Sequence, residues 1–254
     1  MFEVRDLSLS FGGIVVLDGL SFRVEEGELC ALIGPNGAGK SSLFNCISGV
    51  YQPQQGSVTI AGEQVLRRRP HEIAKLGVGR TFQNLALVPT MTVLENVLLG
   101  GHLQHRHGMT ALGGLLRLPT ERRGEAELRA EAEELLKLTD LWDWAQVEVS
   151  SLPFGWQKRA ELARAMMAHP RLLLVDEPAS GLTHDEVNVL GELIQLVHST
   201  CSLTTLLVEH HMGLVQKIAT SCVVLNAGQL IAEGAPRDVV NNPAVIAAYL
   251  GESA

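Results

Sequence analysis

Aromatic residues are scarce: three tryptophans, two tyrosines and six phenylalanines make up 4% of 254 residues. That argues against a β-sandwich core and against a stacking platform for bases. Positive charge is also short. Twenty Lys and Arg face 28 Asp and Glu, a net charge of −8. Nucleic-acid binding draws its affinity mainly from phosphate neutralisation, so no nucleic acid is expected among the partners. The four cysteines, Cys30, Cys46, Cys201 and Cys222, form no Cys-x-x-Cys pair and sit among apolar residues. They are expected to be buried free thiols of a reducing compartment. No apolar run approaches the ~18 residues of a membrane span. Met1 leads directly into strand-like sequence carrying Glu3 and Asp6, so a secretory leader is not expected. An Asn-Lys-x-Asp motif for reading guanine is missing as well. These absences describe a soluble cytosolic chain.

What is present is apolar residue in a regular order. Hydrophobic residues reach 46% and the mean hydropathy is +0.16. A rich α/β core explains this, and an adhesive partner surface is the alternative. Phe2, Val4, Leu7 and Leu9 alternate as a strand, with two more at 21–24 and 57–60. Leu29 to Ile33 is continuously apolar, as in a strand buried on both faces. A helix is expected from Lys40 to Ser48. The middle is helical in character. Leu128, Ala132 and Leu135 share a face over 125–138, with Glu125/Arg129 and Glu133/Lys137 at i,i+4. Another helix is expected from Gly155 to Ala168. Strand and helix alternate again after Leu172: strands at 172–175, 203–208, 222–225 and 229–232, and helices after Thr183 and over 242–250. Thr183 with Glu186 three residues on is a capping-box pattern. The fold class is α/β, interrupted by a helical insertion.

Two motifs carry chemistry. Gly34, Pro35, Asn36, Gly37, Ala38, Gly39, Lys40 and Ser41 match G-x-x-x-x-G-K-[ST] between a strand and a helix. Glycines let backbone N–H groups converge on phosphate oxygens, and the helix N-terminus adds partial positive charge. Lys40 suits the β- and γ-phosphates, and Ser41 suits Mg2+. The second motif, Asp176-Glu177, ends the apolar run 172–175. Asp176 suits the metal, directly or through water, and Glu177 the attacking water. Loops after parallel strands gather at one sheet edge, so the two motifs should meet there.

With these motifs the chain resembles the ATP-binding subunit of an ABC transporter over essentially its whole length. The resemblance implies ATP and Mg2+ as cofactors and a P-loop NTPase (RecA-like) core with an antiparallel β subdomain. It implies one ATPase domain over 1–254: residues 1–83 and 169–254 form the nucleotide-binding core, and 84–168 a helical subdomain. Ser42 joins the phosphate loop. Phe11 is similar to the residue that stacks on adenine, a core phenylalanine being the alternative. Gln83, in Arg80-Thr81-Phe82-Gln83-Asn84, is similar to the glutamine that senses the metal and γ-phosphate. Leu152, Pro153, Phe154, Gly155, Trp156 and Gln157 are similar to the signature loop that faces the ATP of a partner ATPase. His210 is similar to the switch histidine on the γ-phosphate, with His211 a solvated neighbour. Phe11-Gly12-Gly13, the insertion around 100–125 and the ending from Val245 to Gly251 are similar to importer ATPases for branched-chain amino acids.

That resemblance implies two transmembrane permeases, a second and different ATP-binding subunit, and an external solute-binding protein. It places the chain peripherally on the cytoplasmic face of the inner membrane. Permease docking is expected near 83–101, through Leu85, Leu87, Val88 and Met91. Pro153 and Phe154 stand where the family usually has serine and glycine, and Thr183 where it has aspartate. Pro153 brings neither hydroxyl nor N–H, and Trp156 is a candidate cover for that site. His102, His105 and His107 read as a solvated polar stretch rather than a metal site, and Arg67 to Arg69 as a solvated basic run. The rivals are an exporter or envelope-lipid ATPase, and a soluble ABC ATPase acting on nucleic acid or ribosomes.

Overall fold

The computed structural model describes residues 1–101 and 119–250. Strands β1 (Phe2–Phe11), β2 (Ile14–Val24), β4 (Gln55–Ile60) and β5 (Glu63–Gln64) form an antiparallel sheet in the order β2-β1-β4-β5. A second sheet has the order β10-β9-β3-β8-β7-β6. Its members are β3 (Leu29–Ile33), β6 (Val78–Arg80), β7 (Leu172–Asp176), β8 (Thr204–Val208), β9 (Ser221–Asn226) and β10 (Gln229–Gly234). All its pairs are parallel except β9–β10. Strands β3, β7 and β8 are buried at every residue, which explains their unbroken apolar runs.

Helices α1 (Lys40–Ile47), α2 (Pro70–Ala74), α3 (Val93–Gly100), α4 (Pro119–Leu138), α5 (Phe154–Met166), α6 (His184–Thr200), α7 (Met212–Ile218), α8 (Pro236–Val239) and α9 (Pro243–Leu250) are joined by 3-10 turns at Trp142–Trp144 and Val149–Ser151. One apolar cluster fills the space between the two sheets around Phe2, Phe22, Leu43 and Phe44. Another packs α6 and α7 on the parallel sheet. A third belongs to α3, α4 and α5, built on Val97, Ala132, Leu136, Ala160 and Met167. No helix among the described residues is long and apolar enough to cross a membrane.

Some local expectations change. Val93–Gly100 is a helix that apolar pattern does not announce, and its signal is Thr92 and Glu95 in a capping box. On α4 the face of Leu128, Ala132 and Leu135 packs as expected. The ion pairs differ: Arg129 meets Glu133, and Lys137 meets Glu134. Cys30, Cys46 and Cys222 are buried, and burial pushes each thiol up to about 12. Cys201 is exposed, because it lies just past the end of α6 in the turn to β8. His102, His105 and His107 lie outside the described residues.

Candidate active site

Parallel register puts the chemistry on one edge. Asp176, the last residue of β7, pairs with Val208 at the end of β8, and Val208 pairs with Leu32 near the end of β3. The phosphate loop, Glu177 and the segment starting at Glu209 therefore leave the sheet side by side. Strand β6 ends at Arg80 beside Leu174, which brings Gln83 to the same edge.

The loop needs its glycines for space as much as for phosphate. At Gly34, φ is +148°, and a Cβ there would stand 2.1 Å from the carbonyl oxygen of Leu225. At Gly39, φ is +101°, and a Cβ would meet Leu17 and the Val16 carbonyl within 3 Å. Any side chain at either position would displace backbone. Lys40 is buried, its Nζ donating to the carbonyls of Gly34 (2.6 Å) and Pro35 (2.9 Å). A cavity of about 220 Å³ is lined by Val16, residues 36–42 and Glu177. Phe11 is 46% exposed, so the core alternative fails, and its ring meets Tyr51 edge-on at 5.1 Å.

Asp176 is buried and hydrogen-bonded. Arg80 Nη2 reaches its Oδ2 at 3.0 Å, and its backbone N–H donates to Thr81 Oγ1. Burial pushes its carboxyl up, and the Arg80 guanidinium opposes that shift. Arg80 Nη1 donates to Asn45 Oδ1 and Ser48 Oγ, and the guanidinium lies over the rings of Phe44 (5.6 Å) and Phe82 (5.0 Å). It thereby fixes the metal-type acid to the helix that follows the phosphate loop. Glu177 has φ of +44°, an unusual conformation for a non-glycine residue. Gln83 Nε2 donates to Glu177 Oε2 at 2.9 Å. Among the described residues no group of three His, Cys, Asp or Glu could hold a metal. Ser41 lines the cavity, Asp176 ends the strand beside it and Gln83 bonds Glu177 there; a hydroxyl, a carboxylate and an amide oxygen are donors of the hard-oxygen kind that Mg2+ takes.

His210 is exposed at the end of this row. It is positioned by Glu209, which is fully buried. Glu209 Oε2 accepts from the N–H groups of His210 and His211 (2.9 Å each), and Oε1 accepts from Ala179 N–H (2.9 Å). One carboxylate thus ties the segment of His210 and His211 to the turn after Glu177. His211 is no solvated neighbour: its Nδ1 accepts from Leu214 N–H as the N-cap of α7.

Residues 152–157, expected to be the signature loop, run into the start of α5. Pro153 is its N-cap and offers no side-chain bond. Gln157 Nε2 donates to the Leu152 carbonyl. Phe154 is exposed and lies against Gly181. The Trp156 ring meets Trp144 at a tilt (5.8 Å), has the Arg159 guanidinium over it (4.3 Å) and packs in part on the helical cluster. Thr183 caps α6 in the expected box with Glu186. Sequence reasoning missed Arg80 and Glu209. An arginine at the end of a three-residue strand, or a Glu before a histidine, carries no local signal of its role.

Comparison with known proteins agrees with this geometry. Residues 17–180 match the ABC transporter family model, and residues 229–254 match one described as branched-chain amino acid ATP-binding cassette transporter. The chain is 43% identical to the high-affinity branched-chain amino acid transport ATP-binding protein BraF of Pseudomonas aeruginosa, over 99% of this chain and 98% of that one. The ADP conformation of MJ1267, an ATP-binding cassette of an ABC transporter, superposes with a TM-score of 0.85 at 29% identity, over 99% and 98% of the two chains. A dimeric post-hydrolysis cassette, MJ0796 with ADP and Pi, gives 0.77 at 25% identity, over 93% and 99%. Phosphate loop, strand-end acids and full-length similarity together place the chain in the ABC transporter family, among its transport-coupled ATPases.

Proposed function

We propose that this chain is the ATP-binding subunit of an importer for branched-chain amino acids or a related small solute. The observation that carries the reading is the shared cavity of residues 36–42 and Glu177 at the carboxyl edge of the parallel sheet. The N–H groups of the loop cradle the phosphates, and Phe11 supports the adenine. Lys40 trades its loop carbonyls for the β- and γ-phosphates. Ser41, Asp176 and Gln83 would hold Mg2+, which would supply positive charge against the charge developing on the phosphates. Glu177 orients the attacking water and takes its proton as the bond from γ-phosphorus to the bridging oxygen breaks. His210 contacts the γ-phosphate. The solute class follows the names of the relatives and the match over residues 229–254.

The remaining partners follow the family. Two cassettes sandwich two ATPs, each held by one phosphate loop and the other subunit's signature. Two permeases carry the solute supplied by an external binding protein, and the chain sits on the cytoplasmic face of the membrane. Leu87 packs on the helical cluster and Leu85, Val88 and Met91 are half-buried, whereas Phe82 and Leu99 are exposed. Phe82 and Leu99 thus add exposed apolar surface to this stretch.

Lys40, Asp176, Glu177 and His210 are the usual types, while Pro153 and Phe154 are not. A second, different ATPase is favoured, with the faster site on this chain. The test is Glu177→Gln in the assembled complex, read as phosphate release. Most turnover should disappear. Loss of less than about half would overturn the asymmetry, and unchanged turnover would overturn the role of Glu177.

A further inference from the structure

Three charged side chains stand on one face of α5 at i, i+3 and i+6: Lys158, Glu161 and Arg164. All three reach the same short segment, residues 82–86, which is neither helix nor strand. Lys158 Nζ donates to the Gln83 carbonyl at 3.1 Å. Glu161 Oε1 accepts from the N–H groups of Phe82 (3.0 Å) and Ala86 (3.3 Å). Arg164 Nη1 donates to the Ala86 carbonyl. Lys158 is 4% exposed and Glu161 1%. Burial pushes the Glu161 carboxyl up and the Lys158 ammonium down. Stability alone does not call for such groups, because apolar residues of similar volume commonly hold a core at least as well. What they provide is directed bonds to a backbone that has no ladder of its own.

Both ends of this arrangement touch the site. Gln83, inside the held segment, bonds Glu177. At the other end, the Phe154 ring stands over the Lys158 ammonium at 5.3 Å and against Gly181, just past the Glu177 turn. The first turn of α5 and the Gln83–Glu177 contact are therefore joined by one helix and four hydrogen bonds.

We infer that Lys158, Glu161 and Arg164 are positioning residues that bind the backbone of residues 82–86 to α5. A displacement of α5 by whatever meets its first turn then reaches Gln83 and Glu177. This rests on the reading of Gln83 and Glu177 as hydrolytic residues. The bonds themselves do not depend on that reading, which keeps the two separable.

The experiment uses the full chain with Glu161→Met, which withdraws the acceptor, and Glu161→Gln, which keeps an oxygen for both N–H groups. Hydrogen exchange is followed on peptides covering 82–86, β7 and β8, alongside ATP turnover and the KM for ATP. Met should accelerate exchange over 82–86 by at least about tenfold, the scale of a single lost bond to a buried group, since the Phe82 and Ala86 N–H groups both lose their acceptor. Exchange in β7 and β8 should stay unchanged. Turnover should fall by a similar factor, with KM within about twofold, and Gln should restore most of both. Unchanged exchange over 82–86, or equal losses in Met and Gln, would overturn the inference. If Glu161→Met does not fold, Arg164→Met removes the single bond to Ala86 at a less buried position and is read in the same way. Normal hydrolysis by Glu177→Gln with faster exchange in Glu161→Met would retire the hydrolytic reading and leave the tether standing.

Discussion

The carboxyl edge of the parallel sheet and the helical unit of α3 to α5 hold their functional groups by opposite means. At the edge the backbone does most of it. Strand register sets four loops side by side, and glycines at 34 and 39 let the chain close on itself where a side chain would collide. In the helical unit, side chains do it. Buried Lys158 and Glu161 reach across to an irregular segment whose own backbone groups lack ladder partners. The first arrangement is written in neighbouring residues. The second exists only once distant segments have packed, so it is sensitive to single charges.

Three substitutions test that contrast, from the largest expected effect to the smallest. Lys40→Ala should lower ATP turnover on the order of 10²–10³-fold, the scale of one lost donor at a phosphoryl site. Its shift in urea midpoint should be smaller than that of the next variant. A folding defect as large as the catalytic one would mean that the edge is not a backbone-built site. Arg80→Met should destabilise by about 3–5 kcal/mol in urea unfolding, because it leaves Asp176 buried without its counter-charge. A cost near zero would show that Phe44, Phe82 and the α1 contacts do not depend on the guanidinium.

Thr183→Ala should cost about 1 kcal/mol, the usual value of an N-cap hydroxyl. The cap pair also carries a pH signature. Hydrogen bonds from Thr183 hold the Glu186 carboxyl below its ordinary value of 4.5. A lowered native pKa contributes stability above the unfolded value and loses it as pH falls through the native one. The deficit of the variant should be full at pH 7 and narrow below pH 4.5. A deficit independent of pH would separate the hydroxyl from the carboxylate.

Much of this is legible in the sequence. The strands at 29–33 and 172–175 are apolar runs of strand length bounded by turn signals, and Thr183 with Glu186 marks a helix start. Other parts were hidden by size. Strand β6 has three residues and α2 five, too short for periodicity to appear. Helix α3 had its signal in Thr92 and Glu95, masked by an apolar sequence equally suited to a docking surface. Trp156 and His211 needed their neighbours, since only Trp144 and Leu214 decide what those side chains do.

The sequence by itself determined the phosphate loop, Asp176 and Glu177, and the α/β order. Each rests on local requirements: positive φ at glycine, a helix N-terminus, and a strand ending in an acid. Only the tertiary structure decided the parts of Arg80, Glu209 and the tether from α5. Their partners lie 96, 30 and 79 residues away in the chain. The chemistry of each depends on burial, which sets the cost of leaving such a group unpaired.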